Sequence, residues 1–329
     1  MKTRLAAALV CSLFAVASSA DPQAQAMTAM ERGDTPALRE ALAAVARTGS
    51  PDDAVLLFAA AAERLPRNRA FRARFDAALA GPLAAQAGQE RYLFVFVPGW
   101  LYRTNPDSGA DFARPRRVLA ARGYAVRLAE IDENAAVEAN GDALAAELER
   151  LAADGRRLVL ISTSKAGPET QLALDRLERA GKGAHVAAWV NIGGLLNGTA
   201  VADHWAAWPR SWLAAFAFAF MGHDTSAIPT MQMAPRRARF AELRVPDGVL
   251  VVNYIGAPRA AEITPGAQGD YAILLPHGPN DGLTLLADAL VPHGVTVVER
   301  GLDHYFAAPD IDRRIEAMAQ AVLETLGDR

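Results

Sequence analysis

The sequence predicts an α/β fold, a mostly parallel sheet covered by helices on both faces, and three observations carry that reading. From about residue 90 onward, strand-like apolar runs alternate with segments of helical periodicity, the order that builds parallel strands joined by right-handed crossovers. The runs are apolar throughout, as strands buried on both faces require. Side chains able to do chemistry sit just beyond the ends of several runs, where open α/β sheets gather their functional residues. A length of 329 residues, 51% of them apolar, is enough for a substantial core.

Lys2 and Arg4, an apolar stretch from Leu5 to Ala17 and the small residues Ser18-Ser19-Ala20 precede Asp21-Pro22. This is the pattern of an export signal over residues 1–20, cleaved after Ala17 or Ala20, and it predicts a periplasmic or secreted protein. The apolar stretch falls short of the roughly 20 residues that span a bilayer. Cys11, the single cysteine, lies inside the signal, so the mature chain would have no disulfide, thiol nucleophile or cysteine-bound metal. Net charge is −3 at pH 7, or −5 once Lys2 and Arg4 are removed. Such a chain offers no basic face to nucleic acid.

Residues 21–90 are alanine-rich with apolar residues at helical spacing: Leu38, Leu42 and Val45 in one stripe, Val55, Leu56, Ala59 and Ala60 in another. Gly49-Ser50-Pro51 and Leu65-Pro66 punctuate them. They predict an N-terminal helical extension packed against a body formed by residues 91–329. In that body, strands are predicted over Tyr92 to Val97, Ala125 to Ala129, Leu158 to Ser162, Val186 to Ile192, Val249 to Tyr254 and Val295 to Val298. Helices are predicted near 110–122, 141–153, 165–181 and 309–326. Residues 199–245, between the fourth and fifth strands, read as a cap. Trp205, Trp208, Trp212 and Phe216 recur there at spacings of three and four, a helical stripe, with Phe218, Phe220 and Met221 in the apolar segment that follows. The expectation is a lid whose Trp205, Trp208, Trp212 and Phe216 line a site for an acyl chain or another apolar group, and which touches a lipid interface transiently.

The third strand runs into Ile161-Ser162-Thr163-Ser164-Lys165-Ala166-Gly167. A serine with tiny residues two positions away on each side, at a strand-to-helix junction, has the pattern of a nucleophile elbow, whose strained backbone leaves no room for larger neighbours. A carboxylate and a histidine then follow in the order acid before base. Asp281 lies in the turn-rich Pro276-His277-Gly278-Pro279-Asn280-Asp281-Gly282-Leu283, and His304 in Gly301-Leu302-Asp303-His304-Tyr305-Phe306 beyond the last strand. In this reading Ser164 attacks, His304 takes and returns its proton, and Asp281 fixes the imidazole tautomer. The oxyanion of acyl transfer needs two preorganised N–H groups. Lys165 supplies one from the start of a helix; Trp100, with Leu101 as the alternative, supplies the other from the Pro98-Gly99-Trp100 turn. The Lys165 side chain is read as a solvated head. His277 is the rival to His304, but it precedes the last strand; His185, His204, His223 and His293 fall in the cap or at strand starts. No His, Asp and Glu grouping has metal-ligand spacing, and no metal, cofactor or protein partner is expected.

Across roughly residues 90–329 these motifs resemble the α/β-hydrolase superfamily, and within it secreted bacterial lipases and esterases. Val190-Asn191-Ile192-Gly193-Gly194 followed by Asn197-Gly198-Thr199-Ala200-Val201-Ala202-Asp203 is similar to the segment beyond the strand after their nucleophile helix, and Asn280-Asp281-Gly282 to their acid loop. Pro98-Gly99-Trp100 stands where they carry a His-Gly oxyanion turn, so the role of that histidine does not transfer. The resemblance implies a serine hydrolase of carboxylic esters that forms an acyl-enzyme from a small-molecule or lipid ester with a hydrophobic acyl group. The alternatives are a non-catalytic binding protein on the same fold, or an acyl hydrolase or transferase acting on a thioester, amide or polyester.

Overall fold

The computed structural model describes residues 21–82, 88–220 and 225–328; the predicted export signal, Met221 and His223 lie outside them. Six strands, β1 (Tyr92–Val97), β2 (Ala125–Leu128), β3 (Arg157–Thr163), β4 (Val186–Ile192), β5 (Leu250–Ala257) and β6 (Val295–Arg300), form one sheet in the order β2-β1-β3-β4-β5-β6. Every neighbouring pair is parallel, and each strand lies within three residues of its predicted bounds.

Four helices precede the sheet: α1 (Pro22–Arg32), α2 (Thr35–Thr48), α3 (Pro51–Arg64) and α4 (Pro66–Ala80). Each starts on a proline or has one in its first turn, where the missing N–H removes no helical bond. α5 (Ala113–Ala121), α6 (Val137–Leu151) and α7 (Ala166–Arg179) connect the first strands. The cap region holds α8 (Ala200–Ala206), α9 (Arg210–Phe220), α10 (Ala227–Thr230) and α11 (Met233–Phe240); α12 (Gln268–Leu274) follows β5, and α13 (Ile311–Gly327) closes the chain.

The two-residue period of the strands divides the core between the faces. Leu93, Val95 and Val97 of β1 pack with Leu144 and Leu148 of α6 and Leu174 of α7, while Phe94 and Phe96 point the other way, toward Leu119 of α5 and Val322 of α13. α6 begins four residues before its predicted start. A Cβ on Gly141, inside this helix, would lie 2.5 Å from Leu172 of α7, so this glycine serves the close crossing of two helices.

The N-terminal helices share cores with the sheet. Leu42 and Phe58 are buried together with Ile255 and Val298, and Phe71 and Phe75 with Met318 of α13. They also cover the open edge of β6: Asn68 Oδ1 accepts from the Thr296 N–H at 2.8 Å, and Arg72 donates to the Val298 carbonyl at 3.2 Å. An uncovered edge is a template for aggregation. Asn68 is buried, so Asn68→Ala leaves the Thr296 N–H without its acceptor and is expected to cost about 1–3 kcal/mol. Urea denaturation checks this as a lower midpoint at unchanged m-value.

Candidate active site

Ser164 stands between β3 and α7 with φ of 55°, the left-handed conformation that a non-glycine residue adopts only under constraint. Its carbonyl accepts from the Gly167 and Leu195 N–H groups, both at 3.0 Å, and its N–H donates to the Ile192 carbonyl at 3.2 Å. The strain is therefore held by β4 and the loop beyond it. The small flanking residues each have a place: Ser162 is buried and its Oγ accepts from the Trp189 indole at 2.8 Å, while Ala166, the first residue of α7, is buried in the core.

The structure brings Asp281 and His304 together. His304 Nδ1 donates to Asp281 Oδ2 at 2.9 Å, and the His304 backbone N–H donates to the Asp281 carbonyl at 2.8 Å. Asp281 Oδ1 accepts from the Leu283 and Thr284 N–H groups at 2.9 and 2.7 Å. The carboxylate is fully buried and aimed by its own loop. His304 Nε2 is buried and makes no hydrogen bond among the described residues; it lines the same cavity as Ser164. Gly193, with φ of 52°, lies under the imidazole, where a Cβ would come within 3.3 Å of the ring.

Burial opposes charge on His304, but Asp281, by charge and hydrogen bond, and then Asp303 and Asp270 outweigh it, so the pKa lies above the usual 6.5. In the general-base role expected from the sequence His304 must be neutral, so kcat/KM for an uncharged ester is expected to fall on acidification, with its midpoint above pH 6.5. A pH–rate profile at low substrate concentration checks this; a midpoint below that value contradicts it.

Asp303 and Asp270 had no signal in the sequence beyond nearness to His304. The buried Asp303 accepts from the Thr264 N–H and hydroxyl at 2.9 and 2.6 Å and from the Tyr305 N–H at 3.1 Å, which fixes the histidine loop to the segment after β5. His277 is exposed and His204 is half-buried beside Trp205; neither lines the cavity.

The cavity has a volume of about 740 Å³. Among the described residues, five non-glycines have positive φ, and four of them, Leu101, Phe112, Ser164 and Phe306, line it. Backbone strain is thus concentrated around this one space. Trp100 and Leu101 face it from the turn after β1. The Lys165 N–H precedes the first helical bond of α7, that from Gly167 to Ser164.

Two expectations need correction. The Lys165 side chain is not a solvated head: it is 1% exposed and ion-paired with Glu169 one turn along α7. The cap stripe does not line the cavity. Trp208, Trp212 and Phe216 are 84%, 66% and 67% exposed, Trp205 is 42% exposed, and none borders the space beside Ser164. Helical spacing identifies a shared face but not the direction it points; the cap residues packed against Trp100 and Leu283 are instead Ala202, Ala227, Ile228 and Met231.

Among the described residues no group of three or more His, Cys, Asp and Glu could hold a metal ion, and no helix is long and apolar enough to cross a membrane.

No protein-family model matches the chain, and no curated protein sequence does. Solved structures do. A metagenomic carboxyl esterase superposes with a TM-score of 0.58 at 22% identity over 75% of this chain and 78% of its own. A Bacillus licheniformis lipase in its mature form gives a TM-score of 0.51 at 20% identity over 65% of this chain and 84% of its own. The parallel sheet and these likenesses together establish that the chain has an α/β-hydrolase fold.

Proposed function

We propose that this protein is a serine hydrolase of carboxylic esters with a hydrophobic acyl group. One observation carries the reading: a strained serine shares a cavity with a buried histidine whose Nε2 has no partner among the described residues and whose Nδ1 is held by a buried aspartate. In the proposed reaction Ser164 Oγ bonds to the ester carbonyl carbon as its proton passes to His304 Nε2. Collapse of the tetrahedral intermediate breaks the bond to the alcohol oxygen, which takes that proton; water then releases the acid by the same route. The N–H groups of Lys165 and of Trp100 or Leu101 are the proposed oxyanion donors. The experiment is labelling with a fluorophosphonate followed by peptide mapping. Label on the Ser164 peptide, absent from Ser164→Ala, supports the proposal, and label elsewhere or none on folded protein refutes it.

The same reading extends to place and partner. The first twenty residues are the proposed export signal, so N-terminal sequencing of the exported protein should begin at Ser18 or Asp21. The exposed Trp208, Trp212, Leu213 and Phe216 form a proposed contact with lipid surfaces, because tryptophan and phenylalanine favour the membrane interface. Sedimentation with phosphatidylcholine vesicles should fall at least fivefold in Trp212→Ser/Phe216→Ser; unchanged binding would place the contact elsewhere.

A further inference from the structure

The cavity beside Ser164 borders none of the described cap residues, 199–220 and 225–245. It runs inward between the sheet and the helices of one face. Its walls on the sheet side are Phe94 and Phe96 of β1, Ile161 of β3 and Val190 of β4, which belong to the two-residue repeats facing α5 and α13. Opposite them lie Ile311, Ile315, Met318 and Val322 of α13. Phe96, Ile161 and Val190 are register partners across three adjacent strands, and Phe94 lies two residues deeper. The lining residues Ile311 and Val322 are eleven positions apart on one helix, a span of about 16 Å at the α-helical rise. The lining is therefore apolar along most of that span, with Thr163, Ser164, Tyr254, His304 and Arg314 among its polar members.

We propose that this space is an acyl tunnel: the fatty chain of the substrate threads under the sheet, with its carbonyl at Ser164 and its methyl end near Phe94, Met318 and Val322. The inference rests on the ester-hydrolase reading and adds to it the chain class and its limit. The span from Ile311 to Val322, about 16 Å, is an upper limit on the depth, because Phe94 and Val322 at its inner end are fully buried; it admits an extended chain of at most roughly a dozen carbons. Each methylene buried in the tunnel can contribute at most about fourfold to kcat/KM, the factor equivalent to about 0.8 kcal/mol per CH₂. The rise should stop when the end is reached. Ala319, which also lines the cavity and is buried against the core, is where added bulk would shorten it.

The experiment compares kcat/KM for p-nitrophenyl esters from acetate to palmitate in the wild-type protein and in Ala319→Leu. The wild-type series should climb to about twelve carbons and then level or fall. In Ala319→Leu the laurate-to-butyrate ratio should drop at least thirtyfold, with the optimum moved to shorter chains. Phe94→Ala, a change that removes volume at the inner end, should move the optimum to longer chains and covers the case in which Ala319→Leu does not fold. A second readout avoids turnover: lauric acid should bind Ser164→Ala protein by calorimetry and bind the Ser164→Ala/Ala319→Leu protein at least tenfold more weakly. If Ser164→Ala retains full esterase turnover, the catalytic reading fails while calorimetry still tests the tunnel. A laurate-to-butyrate ratio unchanged within threefold in folded Ala319→Leu, or one that instead shifts in Trp212→Ser/Phe216→Ser, would overturn the tunnel and return the chain to the cap.

Discussion

Ser164→Ala and His304→Ala are each expected to lose about six orders of magnitude in kcat on an activated ester, and the double variant no more than either alone. In the proposed mechanism the groups act as one unit, since a hydroxyl with no base to receive its proton and a base with no hydroxyl to deprotonate fail at the same step. Asp281→Asn should lose about four orders with the fold intact, for a reason visible in the hydrogen bonds. Asp281 Oδ1 accepts two backbone N–H groups while Oδ2 accepts from His304 Nδ1. An asparagine keeps its oxygen on the backbone donors, so its NH₂ faces the imidazole. Nδ1 must then accept and Nε2 carry the hydrogen, which leaves no lone pair for the serine proton. Single-turnover kinetics with p-nitrophenyl butyrate checks all four variants. A double variant much slower than both singles would show that Ser164 and His304 do not share a step.

The fold was largely legible in the chain because parallel strands buried on both faces leave uninterrupted apolar runs, and β1 and β4 have the bounds those runs predict. The strained turn at Ser164 was legible for a steric reason: a serine at φ 55° demands small neighbours, and small neighbours can be read. What could not be read depended on direction. The aromatic spacing of 205–216 marks a face, and only the packing of α8 and α10 decides that this face meets solvent. The cavity was hidden for a related cause. Its walls come from β1, β3, β4, β5, α5 and α13, and each contributes residues that by themselves look like ordinary core. The covering of β6 by Asn68 and Arg72 likewise joins positions more than 220 residues apart, a separation at which single-sequence patterns carry no information.

Glu169→Leu is expected to destabilise the protein by about 3–5 kcal/mol, because it strands the buried Lys165 ammonium. Both side chains are essentially without solvent, at 2% and 1% exposure. Glu169 Oε1 accepts from Lys165 Nζ and, at 2.8 Å, from Asn140, whose amide also donates to the Asp132 carbonyl at 2.7 Å. Glu169 Oε2 has no partner among the described residues. Burial pushes the Glu169 pKa up to about 6, against the pull of Lys165. Between its ordinary 4.5 and about 6 the folded state thus binds more protons than the unfolded one, so this residue's contribution to stability falls as pH rises through that window and is constant above it. Removing both charges should behave differently from removing one. Lys165→Met/Glu169→Leu replaces the pair with apolar volume and should recover most of the loss, since a well-packed apolar substitute for a buried pair is often neutral or stabilising. Urea denaturation at pH 7 and pH 5 checks both statements: the single variant should unfold at much lower urea than the double, and the double should lose the Glu169 share of the pH dependence. Equal midpoints for the single and double variants would mean that Lys165 reaches water when its partner is gone, and the buried pair would then be a minor contributor to the rigidity of the turn that carries Ser164.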